Sequence, residues 1–245
     1  MGRNKGKVEE EMKYVASCSF GKDSLAMLIK IKELGLPLDE VIYCDIRFDE
    51  NISGETPEMF EFINKAEKIL KDKFDITVTH LRSKVTFKEQ FYKVKQKGNH
   101  IGDNYGFPYV IGAWCNDRLK MQPINDYFKN NKDVIQYVGI AYDEPKRYER
   151  LDHTKTQCPL YDLKITEKEA LEICKEHDLL SPIYETSFRG GCWFCPKQSM
   201  KQLKWLYQTH RDLWNILKGM EKDSHNTFKP NYTLQQLEDR FKDGE

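Results

Sequence analysis

The sequence predicts an α/β fold built on a parallel β-sheet flanked by helices. Short apolar runs alternate along the chain with longer amphipathic patterns, as strand–helix–strand units require. A turn of small residues joins the first apolar run to the first amphipathic pattern. Such sheets bind ligands at the carboxyl ends of their strands, so functional residues are expected in the loops that follow strands.

Four apolar runs are short enough to be buried strands. We predict strands at Lys13–Cys18, Glu40–Ile46, Ile76–Leu81 and Val134–Ile140. Amphipathic patterns between them predict helices at Ser24–Leu34, Thr56–Phe74 and Thr86–Lys97. Thr56 and Pro57 have the order of a helix start, because Thr caps a helix and Pro fits its first turn.

The character of the chain changes after Pro159. Thr166 and Glu169 form a capping-box pattern, which marks a helix start. Leucines at helical spacing predict one helix from Ser199 to about Met220 and a shorter one at Thr233–Phe241. We therefore expect an α/β domain at residues 1–165 and a small helical, cysteine-containing lobe at residues 166–245.

The composition excludes several classes of protein. Among 245 residues, 39 Lys and Arg balance 39 Asp and Glu, so no global charge attracts nucleic acid. No apolar run reaches membrane-spanning length, and the basic N-terminus lacks the apolar segment of a signal peptide. Seven cysteines, an odd number, favour the reducing cytoplasm and metal or thiol chemistry over a disulfide framework.

The most informative motif is the turn Ser19-Phe20-Gly21-Lys22-Asp23-Ser24. A turn that opens a helix leaves backbone N–H groups free, where the helix dipole favours an anion. Gly21 lets the backbone approach a phosphate, the two serines add hydroxyl donors, and Lys22 adds a positive charge. The spacing is not that of the Walker P-loop, and a plain glycine turn is the alternative interpretation.

Two later loops also follow predicted strands. Asp45 ends the second strand, where it is either a contact for the adenosine of a nucleotide or a surface carboxylate. The loop from Gly139 to Arg147 places carboxylates, among them Glu144, beside cations. That set can hold Mg²⁺ and oppose the charge on a leaving pyrophosphate, and a solvated ion-paired loop is the alternative.

Cys192 and Cys195 are separated by two residues, which lets both sulfurs bind one metal centre. Cys115 is the best distant third ligand, and Cys158 and His153 are candidates for a fourth. Zinc and iron–sulfur clusters both accept this spacing, so the residues leave the metal open. A pair of buried structural thiols and a thioredoxin-like redox pair are the alternatives.

Several segments, in this order, resemble the phosphoadenosine phosphosulfate reductase family of the adenine nucleotide alpha-hydrolase superfamily. They are Ser19–Ser24, Gly54–Phe62, Trp114–Pro123, Gly139–Arg147, Cys158–Leu163, Ser181–Tyr184 and Gly191–Pro196. The resemblance implies a Rossmann-like, five-stranded parallel sheet. It also implies an adenine nucleotide, either ATP or an adenylyl sulfate, at the loop after the first strand.

The resemblance assigns roles to individual residues by their position. The resemblance implies that the loop after the first strand holds the phosphates, through Ser19, Phe20, Gly21, Lys22, Asp23 and Ser24. It implies that Asp45 lies near the adenosine and that Arg118 and Lys120 face the terminal phosphate or sulfate. It also implies that Gly139, Glu144 and Arg147 surround these groups. Lys22, Asp23 and Arg147 are then the expected catalytic residues, with Arg147 as an anion clamp.

Two departures from the family bear on the reaction. Thioredoxin-dependent reductases carry a Glu-Cys-Gly-Leu-His motif near the C-terminus, and Asn231–Glu245 contains no cysteine. Iron–sulfur adenylylsulfate reductases have paired cysteines where Cys115 is followed by Asn116. The remaining cysteines, Cys115, Cys192 and Cys195, resemble those of thiolation enzymes, which hold a [4Fe–4S] cluster with one iron open for sulfur.

The leading hypothesis is an enzyme that adenylates a tRNA or DNA acceptor with ATP and Mg²⁺ and then supports sulfur transfer through a [4Fe–4S] cluster. A sulfur-donor protein is a candidate partner. The alternatives are an adenylyl-sulfate reductase and a non-catalytic nucleotide-binding subunit with a structural zinc. One predicted helix is basic and aromatic, which suggests nucleic-acid binding, although an amphipathic core helix explains the pattern more simply; its residues are Lys201, Lys204 and Arg211 beside Trp205 and Trp214.

Overall fold

A computed structural model describes residues 12–131, 133–186 and 190–243. Its strands are β1 (Lys13–Cys18), β2 (Glu40–Cys44), β3 (Val78–Leu81), β4 (Val134–Val138) and β5 (Thr156–Gln157). They form one sheet in the order β3-β2-β1-β4-β5, and β1 pairs in parallel with both β2 and β4. The expected α/β fold with a five-stranded parallel sheet is confirmed.

Helices connect and flank the strands. In the described ranges they are α1 (Lys22–Glu33), α2 (Pro57–Phe74), α3 (Phe87–Tyr92), α4 (Gln122–Asn130), α5 (Pro145–Tyr148), α6 (Pro159–Asp162), α7 (Glu167–Glu176), α8 (Ile183–Thr186), α9 (Met200–Thr209), α10 (Arg211–Lys222) and α11 (Leu234–Lys242). A π-helical segment, Asn116–Met121, leads into α4. No helix within these ranges is both long and apolar enough to cross a membrane.

The chain packs into two compact units, each assembled from separate segments. The first unit contains the described residues up to Tyr43 together with Glu67–Thr79 and Asp126–Leu180. The second contains Cys44–Ala66, His80–Asn125 and the described residues from Ser181 onward. The predicted division into a domain at residues 1–165 and a lobe at residues 166–245 stays a prediction.

The first unit is built around β1 and α1. Val15 and Ala16 of β1 are fully buried, as expected for a central parallel strand covered on both faces. Helix α1 buries a continuous apolar run, Leu25–Ile29, and packs against α6 and α7. This packing fixes the N-terminus of α1 directly after β1.

The second unit has an aromatic core drawn from distant parts of the chain. Phe87 lies 4.1 Å from Phe194 between ring centroids, and Phe48 lies 4.7 Å from Trp193. Helices α9, α10 and α11 add buried leucines to the same cluster. Each large ring buries much apolar surface, so a few of them contribute a large part of the stability of this core.

Two helices are shorter than the amphipathic patterns predict. The prediction at Thr86–Lys97 is wrong after Tyr92, because Lys93 is extended and Val94 forms an antiparallel bridge with Asn104. The single helix predicted from Ser199 to Met220 is also wrong. His210 is non-helical, with φ −127° and ψ 67°, and separates α9 from α10.

Candidate functional site

The loop between β1 and α1 is organised by the Ser24 hydroxyl. Ser24 Oγ donates to the Gly21 carbonyl at 2.9 Å and accepts from the Ser19 amide at 3.1 Å. Helix α1 begins at Lys22, two residues before the predicted start, so Lys22 and Asp23 belong to its first turn. The amides of that turn have no acceptors within the helix, which makes it suited to an anion.

Phe20 anchors this loop in the core. Its backbone is left-handed, with φ 53°, and its ring is fully buried with an edge contact to Tyr43 at 4.9 Å between centroids. Left-handed backbone is uncommon for a residue with a side chain and often marks functional loops. The Phe20 ring therefore holds the loop, and only its backbone is placed to meet a ligand.

Gly139 lets the end of β4 approach the first turn of α1. A β-carbon at position 139 would lie 2.8 Å from the Asp23 carbonyl carbon and 2.9 Å from the Ser24 amide nitrogen. Those distances are shorter than van der Waals contact, so only glycine fits. The predicted nucleotide residue Gly139 thus has a clear steric role beside the loop.

Three carboxylates meet at this end of the first unit. Asp23, Glu144 and Glu167 each place one oxygen within 4.8 Å of the others. Asp23 belongs to α1, Glu144 precedes α5, and Glu167 begins α7. In the described part of the chain, no other three His, Cys, Asp or Glu residues bring their ligand atoms this close together. Carboxylate oxygens are ligands that suit Mg²⁺.

Two cations pair with these carboxylates. Lys22 Nζ lies 2.8 Å from Asp23 Oδ1 and 3.3 Å from Glu167 Oε2. Arg147 Nη1 donates to both oxygens of Glu144 at 2.6 Å. The predicted residues Lys22, Asp23, Glu144 and Arg147 are therefore brought together, and Glu167 joins them.

Burial and charge shift the titration of this group. Burial raises the pKa of Asp23, and the charges of Glu167 and Glu144 raise it further, against the opposing effect of Lys22. Burial would lower the pKa of Lys22, but its contacts with Asp23 and Glu167 raise it overall. The hydrogen bond to Glu144 raises the pKa of Arg147. Excess negative charge at Asp23 is the environment in which a bound cation is most favourable.

Asp45 lies in the second unit, directly after β2, and is only 7% exposed. Arg82 Nε and Nη2 each approach Asp45 Oδ2 at 2.8 Å. The carboxylate lines a cavity of about 90 Å³ together with Arg47, Ser83 and Lys84. Asp45 is thus a buried, paired group in a polar cavity and not a surface carboxylate, and its contact with adenosine stays a prediction.

Arg118 and Lys120 lie in the π-helical segment of the second unit. Arg118 donates to Gln90 Oε1 at 2.8 Å and to the Tyr105 hydroxyl at 3.0 Å. Lys120 lies close enough to Cys192 for its charge to lower the pKa of that thiol. The predicted contact of both cations with a terminal phosphate or sulfate stays a prediction.

The Cys192–Cys195 turn is fixed by backbone hydrogen bonds. The Cys195 amide donates to the Cys192 carbonyl at 3.0 Å, and the Trp193 amide donates to the Gly54 carbonyl at 2.9 Å. Trp193 Nε1 donates to the Ser53 carbonyl at 2.8 Å. The fold therefore holds this turn against the chain segment that precedes α2.

Cys115, Cys192 and Cys195 are electrostatic neighbours in the second unit. Burial raises the pKa of Cys115 to about 11, and a charge on Cys195 adds to that shift. Burial raises the pKa of Cys192 well above its ordinary value, with contributions from Cys195 and Cys115. Lys197 opposes the shift at Cys115, so cationic charge is present near the thiols.

The spacing of these thiols bears on the kind of metal they fit. Their three sulfurs do not all lie within 4.8 Å of one another. A tetrahedral zinc ion with Zn–S bonds of about 2.3 Å requires sulfurs about 3.8 Å apart. A four-iron cluster is larger than one ion and binds each cysteine through a different iron, so it requires sulfurs that lie farther apart than those of a zinc ion.

The predicted fourth ligands, Cys158 and His153, lie in the first unit. Cys158 is almost fully buried before α6, and burial raises its pKa to about 11. The His153 ring lies 4.4 Å from the Tyr148 ring between centroids. Neither belongs to a group of three close ligand atoms in the described chain, and their role at a metal stays a prediction.

Glu167 is the site residue that the sequence did not reveal. It follows Thr166, whose capping box with Glu169 explains the local pattern completely. No spacing links Glu167 to Asp23, because the packing of α7 against α1 brings them together. The one available signal was an acidic residue in the first turn of a helix, which is common at helix starts.

Two curated proteins are similar in sequence to this chain. An uncharacterised protein of Methanocaldococcus jannaschii is 28% identical over 227 residues, covering 85% of this chain and 42% of its own length. An uncharacterised nin region protein of Escherichia phage lambda is 29% identical over 124 residues, covering 49% of this chain and 41% of its own. The chain thus spans 42% and 41% of the length of these curated relatives.

A solved structure and a family model complete the comparison. One similar solved structure is a U34-tRNA thiolase from Methanococcus maripaludis with its [4Fe–4S] cluster. The match covers 95% of this chain and 72% of the thiolase chain, with 17% sequence identity and a TM-score of 0.43. The model of the phosphoadenosine phosphosulfate reductase domain matches residues 13–198, from β1 to the cysteine turn. The chain therefore belongs to the phosphoadenosine phosphosulfate reductase domain family.

Proposed function

We propose that the protein binds ATP or a related adenylyl nucleotide, cleaves it at the α-phosphate and supports sulfur transfer to a nucleic-acid acceptor. One observation carries the proposal: Asp23, Glu144 and Glu167 converge beside Lys22 and Arg147 at the glycine loop. Three acids that share two cations can accept a divalent cation, and the cations are then available to phosphate oxygens.

The residues of the loop have distinct tasks in this proposal. The amides at the start of α1 bind the phosphates, and Lys22 and Arg147 stabilise the charge that develops on the leaving pyrophosphate. Asp23, Glu144 and Glu167 would hold Mg²⁺, which when bound supplies Lewis-acid stabilisation of phosphate oxygens. Because the pKa of Asp23 is raised, a proton competes with a cation for this carboxylate as the pH falls through that pKa.

The proposed reaction is redox-neutral. A carbonyl oxygen of the acceptor attacks the α-phosphorus, the bond from that phosphorus to the β-phosphate oxygen breaks, and pyrophosphate leaves. Hydrosulfide then attacks the activated carbon, the carbon–oxygen bond breaks, and AMP leaves with the former carbonyl oxygen. Nucleotide cleavage therefore produces pyrophosphate and AMP, with no orthophosphate from the γ position.

The three cysteines of the second unit would hold the sulfur-carrying centre. Cys115, Cys192 and Cys195 are mutual neighbours, and burial raises the thiol pKa of Cys115 and Cys192, so these two thiols bind a metal only with release of protons. Because the three sulfurs do not all lie within 4.8 Å of one another, we favour an iron–sulfur cluster over a single zinc ion. Such a cluster, when bound, supplies an iron at which sulfide is held.

The test is pyrophosphate release from ATP and Mg²⁺ in the presence of bulk tRNA or of DNA. We expect pyrophosphate with AMP from the parent. Asp23→Ala and Glu167→Gln should each lower the rate by about a hundredfold, in line with the loss of one group that stabilises transition-state charge. Glu172→Gln is the matched control, because Glu172 is on the same helix as Glu167 and pairs only with Lys175 among the ion pairs described.

Three results would count against the proposal. Release of orthophosphate from the γ position would place the cleavage at the wrong bond. Normal pyrophosphate release by Asp23→Ala would remove the carboxylate group from the chemistry. A loss of activity in Glu172→Gln equal to that in Glu167→Gln would show that the effect is not specific to the site.

The family match favours a second candidate, the reduction of an adenylyl sulfate. In that reaction two thiols of a donor supply two electrons, sulfite and the nucleotide monophosphate leave, and the thiols become a disulfide. Incubation with the phosphosulfate nucleotide and a dithiol distinguishes the candidates. Sulfite release would favour the reductase, and its absence beside pyrophosphate release from ATP would favour adenylation.

A further inference from the structure

A groove between α9 and α11 crosses the surface of the second unit. It is lined by Met200, Lys201, Lys204, Tyr232, Arg240 and Phe241, and its volume is about 420 Å³. That volume falls in the range of about 300–1,000 Å³ that is typical of ligand sites. Nothing in the proposed nucleotide and metal chemistry uses these residues.

The groove has a one-sided charge. Three of its lining residues are cations, and none of the described lining residues is acidic. The whole chain is balanced at 39 basic and 39 acidic residues, so this concentration is local. A groove with this charge attracts a polyanion.

The floor of the groove is aromatic and apolar. The Arg240 guanidinium lies 5.2 Å from the centroid of the Tyr232 ring, and Phe241 is buried beside it. Lys201 and Lys204 are three residues apart on α9 and so project from one helix face. Aromatic rings that stack on bases, together with cations that meet phosphates, are what single-strand-binding grooves combine.

We propose that this groove binds a single-stranded segment of nucleic acid. The proposal rests on the proposed function, because it supplies a binding surface for the acceptor. An acidic peptide would satisfy the cations but has no planar group for Tyr232, so the aromatic floor favours nucleic acid. Stacking and phosphate contacts do not distinguish ribose from deoxyribose, and RNA and DNA are both expected to bind.

Hydrogen bonds connect the groove to the cysteine turn. Lys229 Nζ donates to the carbonyls of Pro196 at 3.0 Å and Gln198 at 2.5 Å, one and three residues after Cys195. Lys229 also forms an antiparallel bridge with Tyr232. The loop that carries Tyr232 is therefore fixed to the backbone of the cysteine turn, and a strand in the groove is held beside that turn.

The test is fluorescence anisotropy of labelled oligouridylate and its deoxy counterpart, each about twelve nucleotides long, at several salt concentrations. Lys201→Gln/Lys204→Gln should weaken binding and lower the salt slope by about 1.4, as two lost phosphate contacts predict for single strands. Tyr232→Ala should weaken binding at least about fivefold, and Tyr232→Phe should bind like the parent, because stacking needs only the ring.

A matched control removes the same charge elsewhere. Lys65→Gln/Lys68→Gln changes two exposed lysines at the same spacing on α2 and should leave affinity and salt slope unchanged. Equal binding by the groove variants and the parent overturns the proposal. Equal loss in the control, or competition by polyglutamate as effective as by oligouridylate, also overturns it.

Two further readouts keep the result interpretable. Urea unfolding of Tyr232→Ala and Tyr232→Phe shows whether a loss of binding follows from a loss of folding. ATP binding is measured on the same variants by titration calorimetry without added nucleic acid, because pyrophosphate release requires the acceptor. Intact ATP binding with unchanged oligonucleotide binding would refute the groove alone, whereas pyrophosphate release by Asp23→Ala in the presence of the acceptor bears only on the proposed function.

Discussion

Gly139 and Asp23 touch backbone to backbone at the site: a β-carbon on Gly139 would lie 2.8 Å from the Asp23 carbonyl oxygen. Through this contact the end of β4 supports the turn of α1 that carries the Asp23 carboxylate. The geometry of the carboxylate group therefore depends on a residue that has no side chain.

Gly139→Ala should destabilise the fold and impair the site together. The new methyl group has only backbone atoms to displace, so we expect a loss of about 1–3 kcal/mol in the free energy of unfolding. Urea unfolding measures it, and ATP binding by titration calorimetry should weaken in parallel. Gly219→Ala is the control, because nothing lies within 4 Å of a β-carbon there and its helix should gain about 0.5–1 kcal/mol. An unchanged Gly139→Ala protein would contradict this account of the contact.

The carboxylate group should bind a divalent cation. Mn²⁺ titration followed by electron paramagnetic resonance should detect one site in the parent, and Glu167→Gln should weaken it about tenfold, or about 1.4 kcal/mol. Because the pKa of Asp23 is raised, Mn²⁺ affinity is present above that pKa and falls as the pH drops through it. An affinity that is equal in the parent and in Glu167→Gln would exclude Glu167 as a ligand.

Trp193 should be essential to the cysteine turn. It is 1% exposed and its Nε1 donates to the Ser53 carbonyl, so Trp193→Phe removes volume and leaves that carbonyl without its donor. We expect a loss of about 2 kcal/mol in the free energy of unfolding and lower retention of iron. Trp205→Phe serves as the comparison, because Trp205 is only partly buried at the edge of the same core. Equal effects of the two substitutions would contradict a special role for Trp193.

Glu238 should stabilise the helical core only above acidic pH. The hydrogen bond from Lys218 lowers the pKa of Glu238, and the hydrogen bond from Lys242 lowers it further. Burial opposes them, and the resulting pKa is about 2. A lowered carboxyl pKa gives stability that is present above the ordinary value of 4.5 and is lost as the pH falls towards 2. Near neutral pH the free energy of unfolding of the parent should exceed that of Glu238→Gln by about 1 kcal/mol. Urea unfolding at a series of pH values measures this difference, and a difference that did not shrink as the pH fell would contradict the assignment.

The strands and the nucleotide loop could be predicted because their signals are local. The apolar run Lys13–Cys18 matches β1 at both ends, since a central strand is buried on both faces. The capping box predicted at Thr166 is present, because a cap satisfies backbone groups within one turn, and the predicted helix start at Thr86 has one as well. Such features need no knowledge of distant residues.

The remaining features depend on tertiary packing. The amphipathic pattern continues through His210, yet the helix breaks there and the His210 ring contacts Glu58 at 3.0 Å. The convergence of Glu167 on Asp23 follows from the packing of two helices that no spacing in the sequence relates. Strand β2 also ends earlier than predicted, at Cys44 rather than Ile46.

The most direct test of the central claim is the iron, sulfide and zinc content of protein purified without oxygen. We expect iron with matching sulfide in the parent, lost in Cys192→Ala and retained in Cys174→Ala. Cys174 is a suitable control, because it is fully buried in the first unit and its thiol donates to the Lys22 carbonyl. Zinc without sulfide, or iron that survives Cys192→Ala, would contradict a sulfur-transfer centre at these cysteines.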